Sequence, residues 1–118
     1  MHEFEAGIIR TEYRGNNTYM IDLFCGEIAR DVVPGQFVQI RAGNGTDPFL
    51  RRSISVCDAF PDHGEIRVMI DVIGPGTDIV CSMKRGASLN SIGPLGKGFD
   101  LALGGNRPCT LVAGGIGA

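Results

Sequence analysis

The sequence holds no C-x-x-C pair. Its four cysteines, Cys25, Cys57, Cys81 and Cys109, stand 32, 24 and 28 residues apart, which removes the knuckle from which zinc and iron–sulfur sites are built. Each reads instead as a small buried hydrophobe. Histidine is as scarce: with His2 and His63 alone, a His-rich metal site or a Ser/His/Asp triad has little material, and His63 sits in the turn-like Phe60-Pro61-Asp62-His63-Gly64 as a solvated side chain. An excess of positive charge is also missing. The 11 Lys+Arg against 13 Asp+Glu give a net charge of −2, so the basic patch with which nucleic-acid recognition begins is absent and DNA or RNA is excluded as a partner. No apolar run approaches the roughly 20 residues of a membrane span, and the acidic start from Met1 to Glu5 is not a signal peptide. The chain reads as cytoplasmic. Its 118 residues suit one domain and not a two-domain enzyme.

What is present in excess is glycine, 18 residues of which 11 follow residue 73, about twice the usual share of about 7%. Among the cations nine of eleven are Arg, whose rigid fork suits phosphate or carboxylate. The first 73 residues have strand character. Phe4 to Tyr13 and Thr18 to Phe24 alternate apolar and polar residues around Arg14-Gly15-Asn16-Asn17, a turn chemistry that predicts an antiparallel hairpin. Pro34-Gly35 opens a strand over Gln36 to Arg41, which Gly43 to Pro48 closes. Further strands are expected at Arg52 to Cys57 and at Glu65 to Ile73. Many short strands without a long helical period argue for an all-β sandwich or small barrel. One short helix interrupts them, with Gly76-Thr77 as N-cap, Asp78 on the positive helix end, Ile79, Val80 and Met83 on the apolar face, and Lys84-Arg85-Gly86 as a basic last turn. Ser88 to Ile92 is another strand, and Gly93 to Phe99 a rigid loop. Arg107 to Ala113 then has a buried-strand pattern that runs into Gly114-Gly115-Ile116-Gly117, the way a dinucleotide-binding βαβ unit begins.

Two stretches could hold an anion. In Arg51-Arg52-Ser53-Ile54-Ser55 two guanidinium groups stand beside hydroxyls on an apolar strand; the same pattern also describes an edge strand with its arginines in solvent. Gly74-Pro75-Gly76-Thr77 lies at a helix N-terminus, where free N–H groups and the dipole favour phosphate; simple capping by Thr77 accounts for it equally.

The order of the pieces is more specific than any one of them. Pro34-Gly35-Gln36-Phe37, Arg52-Ser53-Ile54-Ser55, Gly76-Thr77, Gly93-Pro94-Leu95-Gly96 and Gly114-Gly115-Ile116-Gly117 together resemble the ferredoxin-reductase-type flavoproteins, nearest to the electron-transfer subunits of class 1B dihydroorotate dehydrogenases. The resemblance covers essentially the whole chain. It implies a six-stranded antiparallel Greek-key β-barrel with one short helix, binding FAD over residues 1–105, and the first strand and glycine turn of a pyridine-nucleotide domain over 106–118. It implies cofactor contacts from Arg52 (phosphate), Ser53, Ile54 (flavin ring), Ser55 (hydrogen bond), Met69, Ile70, Asp71, Gly76 and Thr77, with no catalytic side chain and no metal ligand in this chain. Ile54 stands where the broad family has tyrosine, as in the dihydroorotate subgroup. Asp71 stands where related subunits carry a basic residue, and a carboxylate there would repel a diphosphate. The implied function is to pass electrons from dihydroorotate oxidation on the FMN of a partner subunit, through a [2Fe–2S] cluster, to this FAD and on to NAD⁺ in pyrimidine biosynthesis, in a heterotetramer. The cluster and the NAD site would lie outside this chain. A cofactor-free docking barrel, or the equivalent subunit of a hydrogenase or ferredoxin:NADP⁺ transhydrogenase, are the alternatives.

Overall fold

The structure is a computed structural model that describes residues 1–41 and 51–117. Six strands close into an antiparallel barrel: β1 (His2–Gly15), β2 (Thr18–Phe24), β3 (Phe37–Ile40), β4 (Arg52–Phe60), β5 (Glu65–Asp71) and β6 (Ser88–Leu95). Round the barrel the order is β1-β2-β5-β4-β3-β6, with β6 returning to β1. The expected hairpin is β1–β2. Asn16 and Asn17 both take positive φ, 53° and 59°, the backbone that a two-residue hairpin turn needs and that asparagine tolerates better than most residues. β1 serves two neighbours: His2 to Gly7 pair with β6, Gly7 to Gly15 with β2, and the register slips between Ile8 and Arg10 where the strand turns the corner.

Alternation places one side of each strand inside. Ala6, Ile8, Ile21, Leu23, Val38, Ile40, Ile66, Val68, Ile70 and Leu89 form the core, and Val80 and Cys81 of the single longer helix join it. Outside the barrel Asp22 is nonetheless buried, because Arg67 lies across it with Nε donating to Oδ1 at 2.8 Å and Nη2 to Oδ2 at 3.2 Å, while Arg10 stands 3.5 Å away. The Arg67 guanidinium also lies over the Phe60 ring, 5.0 Å from its centre, and the bonds it donates to Asp22 raise its pKa above the usual arginine value.

Several sequence expectations are corrected. The longer helix, α2 (Pro75–Ser82), has Gly74 and not Gly76-Thr77 as its N-cap, and it stops at Ser82, so Lys84-Arg85-Gly86 is a turn beyond its end rather than a basic last turn. Proline at the first helical position costs no hydrogen bond, because that N–H has no intrahelical acceptor. A one-turn helix, α1 (Ile28–Asp31), escaped the sequence reading; four residues carry too little period to see, yet they bring Ala29 into the core. β6 runs on through Gly93-Pro94-Leu95, where a loop is expected, because Gly93 still pairs with His2 and Leu95 with Phe37. β4 lies between β3 and β5 in a closed barrel and is no edge strand. Cys25 and Cys81 are buried, but Cys57 and Cys109 are exposed. Residues 107–114 form no strand and are exposed; a strand is held by a neighbour's ladder, and none of the described strands supplies one. The turn expected at 43–48 lies outside the described residues.

Candidate functional site

β4 and β5 sit side by side, and their ends near Ser53 and Asp71 open into a groove of about 760 Å³. Seven of the nine sequence-predicted contact residues line it: Ser53, Ile54, Ser55, Met69, Ile70, Asp71 and Thr77. Ser53 and Ser55 are two apart on β4 and present their hydroxyl side to solvent, whereas Ile54 divides its surface between the groove and the core, opposite Val38. Met69 and Asp71 are half-buried on the outer side of β5, and Ile70 is buried with its side chain in the core.

The remaining two, Arg52 and Gly76, meet behind the groove. A Cβ on residue 76 would stand 2.6 Å from Nε of Arg52 and 3.2 Å from its Cζ, so the guanidinium rests on the α-carbon of the first helical turn, and only glycine leaves room for it. The first-turn N–H groups of Gly76 and Thr77 have no acceptor within the helix. Guanidinium and helix N-terminus thus converge, two features of the same electrostatic sign that together favour an anion. The Thr77 side chain is committed to the helix start: its Oγ1 accepts from the Ile73 and Gly74 N–H groups at 3.0 and 3.2 Å and donates to the Gly74 carbonyl at 3.1 Å. Capping accounts for this hydroxyl.

Asp71 is tied to the neighbouring strand β2. Its Oδ1 accepts from Thr18 Oγ1 across the β2–β5 ladder, where Thr18 and Asp71 are direct partners. Arg51, one residue before the anion candidate, belongs to the scaffold: it donates to the Asn90 carbonyl at 3.0 Å and to Asn90 Oδ1, and stands 3.7 Å from Glu3.

Sequence reasoning missed Gly35, Gln36, Val56, Cys57, Ile73, Phe99 and Ile116 in the groove wall. The signal for three of them was in the motif order. Gln36 Nε2 donates to the Gly96 carbonyl at 2.9 Å and Phe99 N–H to the Pro34 carbonyl at 2.9 Å, so the Pro34-Gly35-Gln36-Phe37 stretch and the Gly93-to-Phe99 stretch are knitted together on one side of the groove. Among the described residues no cluster of His, Cys, Asp and Glu could hold a metal ion, and no helix is long and apolar enough to cross a membrane.

No family model matches the chain. Curated relatives do. The electron-transfer subunit of the NAD(+) dihydroorotate dehydrogenase B of Desulforamulus reducens is 41% identical over 115 residues, which is 98% of this chain and 44% of that protein. The same subunit from Lysinibacillus sphaericus is 36% identical over 93 residues, 78% of this chain and 36% of that protein. The chain is homologous to these electron-transfer subunits. It spans less than half the length of each of these two relatives. Among solved structures, the NADH-dependent reduced ferredoxin-NADP oxidoreductase, described in connection with flavin-based electron bifurcation, superposes with a TM-score of 0.74 at 24% identity over 80% of this chain and 34% of that one. The fold is therefore the barrel of the ferredoxin-reductase-type flavoproteins.

Proposed function

We propose that this chain is the FAD-binding domain of an electron-transfer subunit that serves a dihydroorotate dehydrogenase. The observation that carries the reading is the groove: seven of nine residues expected at a flavin line one cavity, and the other two form an anion-attracting corner behind it. The donor set suits a dinucleotide flavin. Arg52 and the backbone of Gly76 and Thr77 would take the diphosphate, Ile54 offers an apolar surface to the ring, and Ser53 and Ser55 offer hydroxyls to its polar edge. A bound flavin supplies the acceptance and release of electrons, and the chain needs no acid or base of its own. Its residues would bind and orient the flavin, and Ile54, Val56, Ile73 and Phe99 give the groove apolar surface for the ring.

The dihydroorotate reading is preferred over a transhydrogenase or hydrogenase subunit because both relatives, at 36% and 41% identity, are named for dihydroorotate dehydrogenase, while the oxidoreductase neighbour at 24% shares only the fold. The catalytic dihydroorotate-oxidising subunit is then the partner, in a heterotetramer in the cytoplasm, with NAD⁺ as final acceptor. Residues 106–118 would begin the pyridine-nucleotide domain, and the iron–sulfur cluster would be held elsewhere in the assembly.

Titration of the purified chain with FAD, followed by quenching of flavin fluorescence, tests this. Saturable binding is expected. Arg52→Ala weakens it by about 1.5–3 kcal/mol, the range for a charge-assisted contact. No binding at high micromolar FAD by a folded chain overturns the reading.

A further inference from the structure

Residues 34–37 and 93–99 receive no role from the flavin contacts assigned above, yet they meet in one clasp. The Gln36 side chain bonds in both directions: Oε1 accepts the Val33 N–H at 3.0 Å, and Nε2 donates to the Gly96 carbonyl at 2.9 Å. The Phe99 N–H donates to the Pro34 carbonyl at 2.9 Å. Glycines let the two stretches touch. A Cβ on Gly35, at φ 98°, would stand 3.2 Å from Cδ2 of Phe99, and one on Gly98 would stand 2.5 Å from Cγ2 of Val33, so backbone lies against side chain at both contacts.

The clasp sits at one end of the groove. The Gln36 carbonyl accepts the Val56 N–H at 3.1 Å, which fixes the clasp beside Val56. The corner made by Arg52 and Gly76 lies four residues back along the same strand, about 13 Å at the usual rise per residue. Ile73, whose N–H is bonded to Thr77 Oγ1, belongs to that corner. The groove therefore runs along β4 from an anion-attracting end to an apolar one. Phe99 lines the apolar end. Its backbone and one ring edge are fixed, it stands outside the hydrophobic core, and 72% of the residue is exposed. A large apolar side chain held rigid and open at a cavity does little for the fold, and it offers a ligand a surface that needs no further ordering.

Resting on the flavin reading above, we propose that Phe99 packs on the isoalloxazine ring at the end of the groove remote from the diphosphate, and that Gln36 is the positioning residue that holds it there. The arrangement follows the polarity of the cofactor, with phosphate at the charged end and the fused ring against the aromatic one.

The test uses the whole chain and two ligands, FAD and ADP, the second carrying a diphosphate without the flavin ring. Calorimetry measures the affinity for each, and the FAD complex of chain containing ¹³C-labelled phenylalanine is searched for nuclear Overhauser contacts between Phe99 and the flavin ring. Wild-type chain is expected to show them. Phe99→Ala should lower FAD affinity roughly three- to tenfold, the worth of an aromatic ring pair written as a fold-change, and leave ADP affinity unchanged, while Phe99→Tyr should keep both. Gln36→Ala should copy Phe99→Ala, with the double variant no weaker than Phe99→Ala alone. Gln36→Glu, which keeps an acceptor for Val33 but has no donor for the Gly96 carbonyl, should not restore affinity. FAD bound without a contact between Phe99 and the ring, or an equal loss for FAD and ADP in Phe99→Ala, overturns the proposal and leaves the flavin reading standing. Full FAD affinity in Gln36→Ala overturns the part given to Gln36. A folded wild-type chain that binds no FAD overturns both the proposal and the reading on which it rests.

Discussion

The four cysteines, identical in sequence terms, part into two classes once folded. Cys25 and Cys81 are buried, and burial pushes each thiol up to about 11, with the nearby Asp78 carboxylate adding to the effect on Cys81. In an unfolded chain the same thiols ionise near 9.0. Below that value both states hold the protons and the thiols contribute no pH dependence. Between about 9 and 11 the unfolded chain releases them and the folded chain does not, so stability falls as pH rises through this window. Urea midpoints across pH 8–11 should decline, and the Cys25→Ala/Cys81→Ala variant should lose part of that slope. Cys57, exposed in the groove wall, behaves differently: a maleimide should label it and Cys109 in the native chain, and saturating FAD should slow labelling at Cys57 alone. Equal slowing at both thiols would contradict the placement of the ligand.

Among the elements, α2 shows why a motif can be legible while its geometry is not. Gly74-Pro75-Gly76-Thr77 announces a helix start, but the sequence does not say which residue caps it, because glycine and threonine are both acceptable N-caps. The choice is made in three dimensions, by Thr77 reaching back to Gly74 and by Arg52 arriving from β4 at Gly76, the one α-carbon within α2 that carries no side chain. Gly76→Ala isolates this contact. The added methyl meets the distal part of a flexible side chain, so the guanidinium can swing aside and the fold survives. The expected result is an unfolding midpoint close to wild type and a several-fold weaker FAD affinity, toward that of Arg52→Ala, with the double variant Gly76→Ala/Arg52→Ala no weaker than Arg52→Ala alone. Additive losses in the double variant would show that Gly76 acts on the ligand independently of Arg52.

For the whole molecule, the strands and their hairpin were readable because period-two alternation and turn residues are local properties. Closure of the barrel was not, since it depends on β6 meeting β1 on one side and β3 on the other across most of the chain length. The sequence resemblance supplied that topology, and Gly93 shows what enforces it. This residue lies in the stretch where a loop was expected, pairs with His2, and would place a Cβ 2.7 Å from Cγ1 of Val38 on β3. Val38 is fully buried, so its methyl has nowhere to go, unlike the Arg52 head beside Gly76. Gly93→Ala must therefore push β6 away from β3 or force Val38 off its rotamer, at a cost of about 1–3 kcal/mol. Because the seam is part of one closed ladder, the loss should appear as a lower urea midpoint in a single transition with an unchanged slope. A second, early transition would mean that the β3–β6 seam opens by itself, and the barrel would then be a curled sheet whose last pairing is optional.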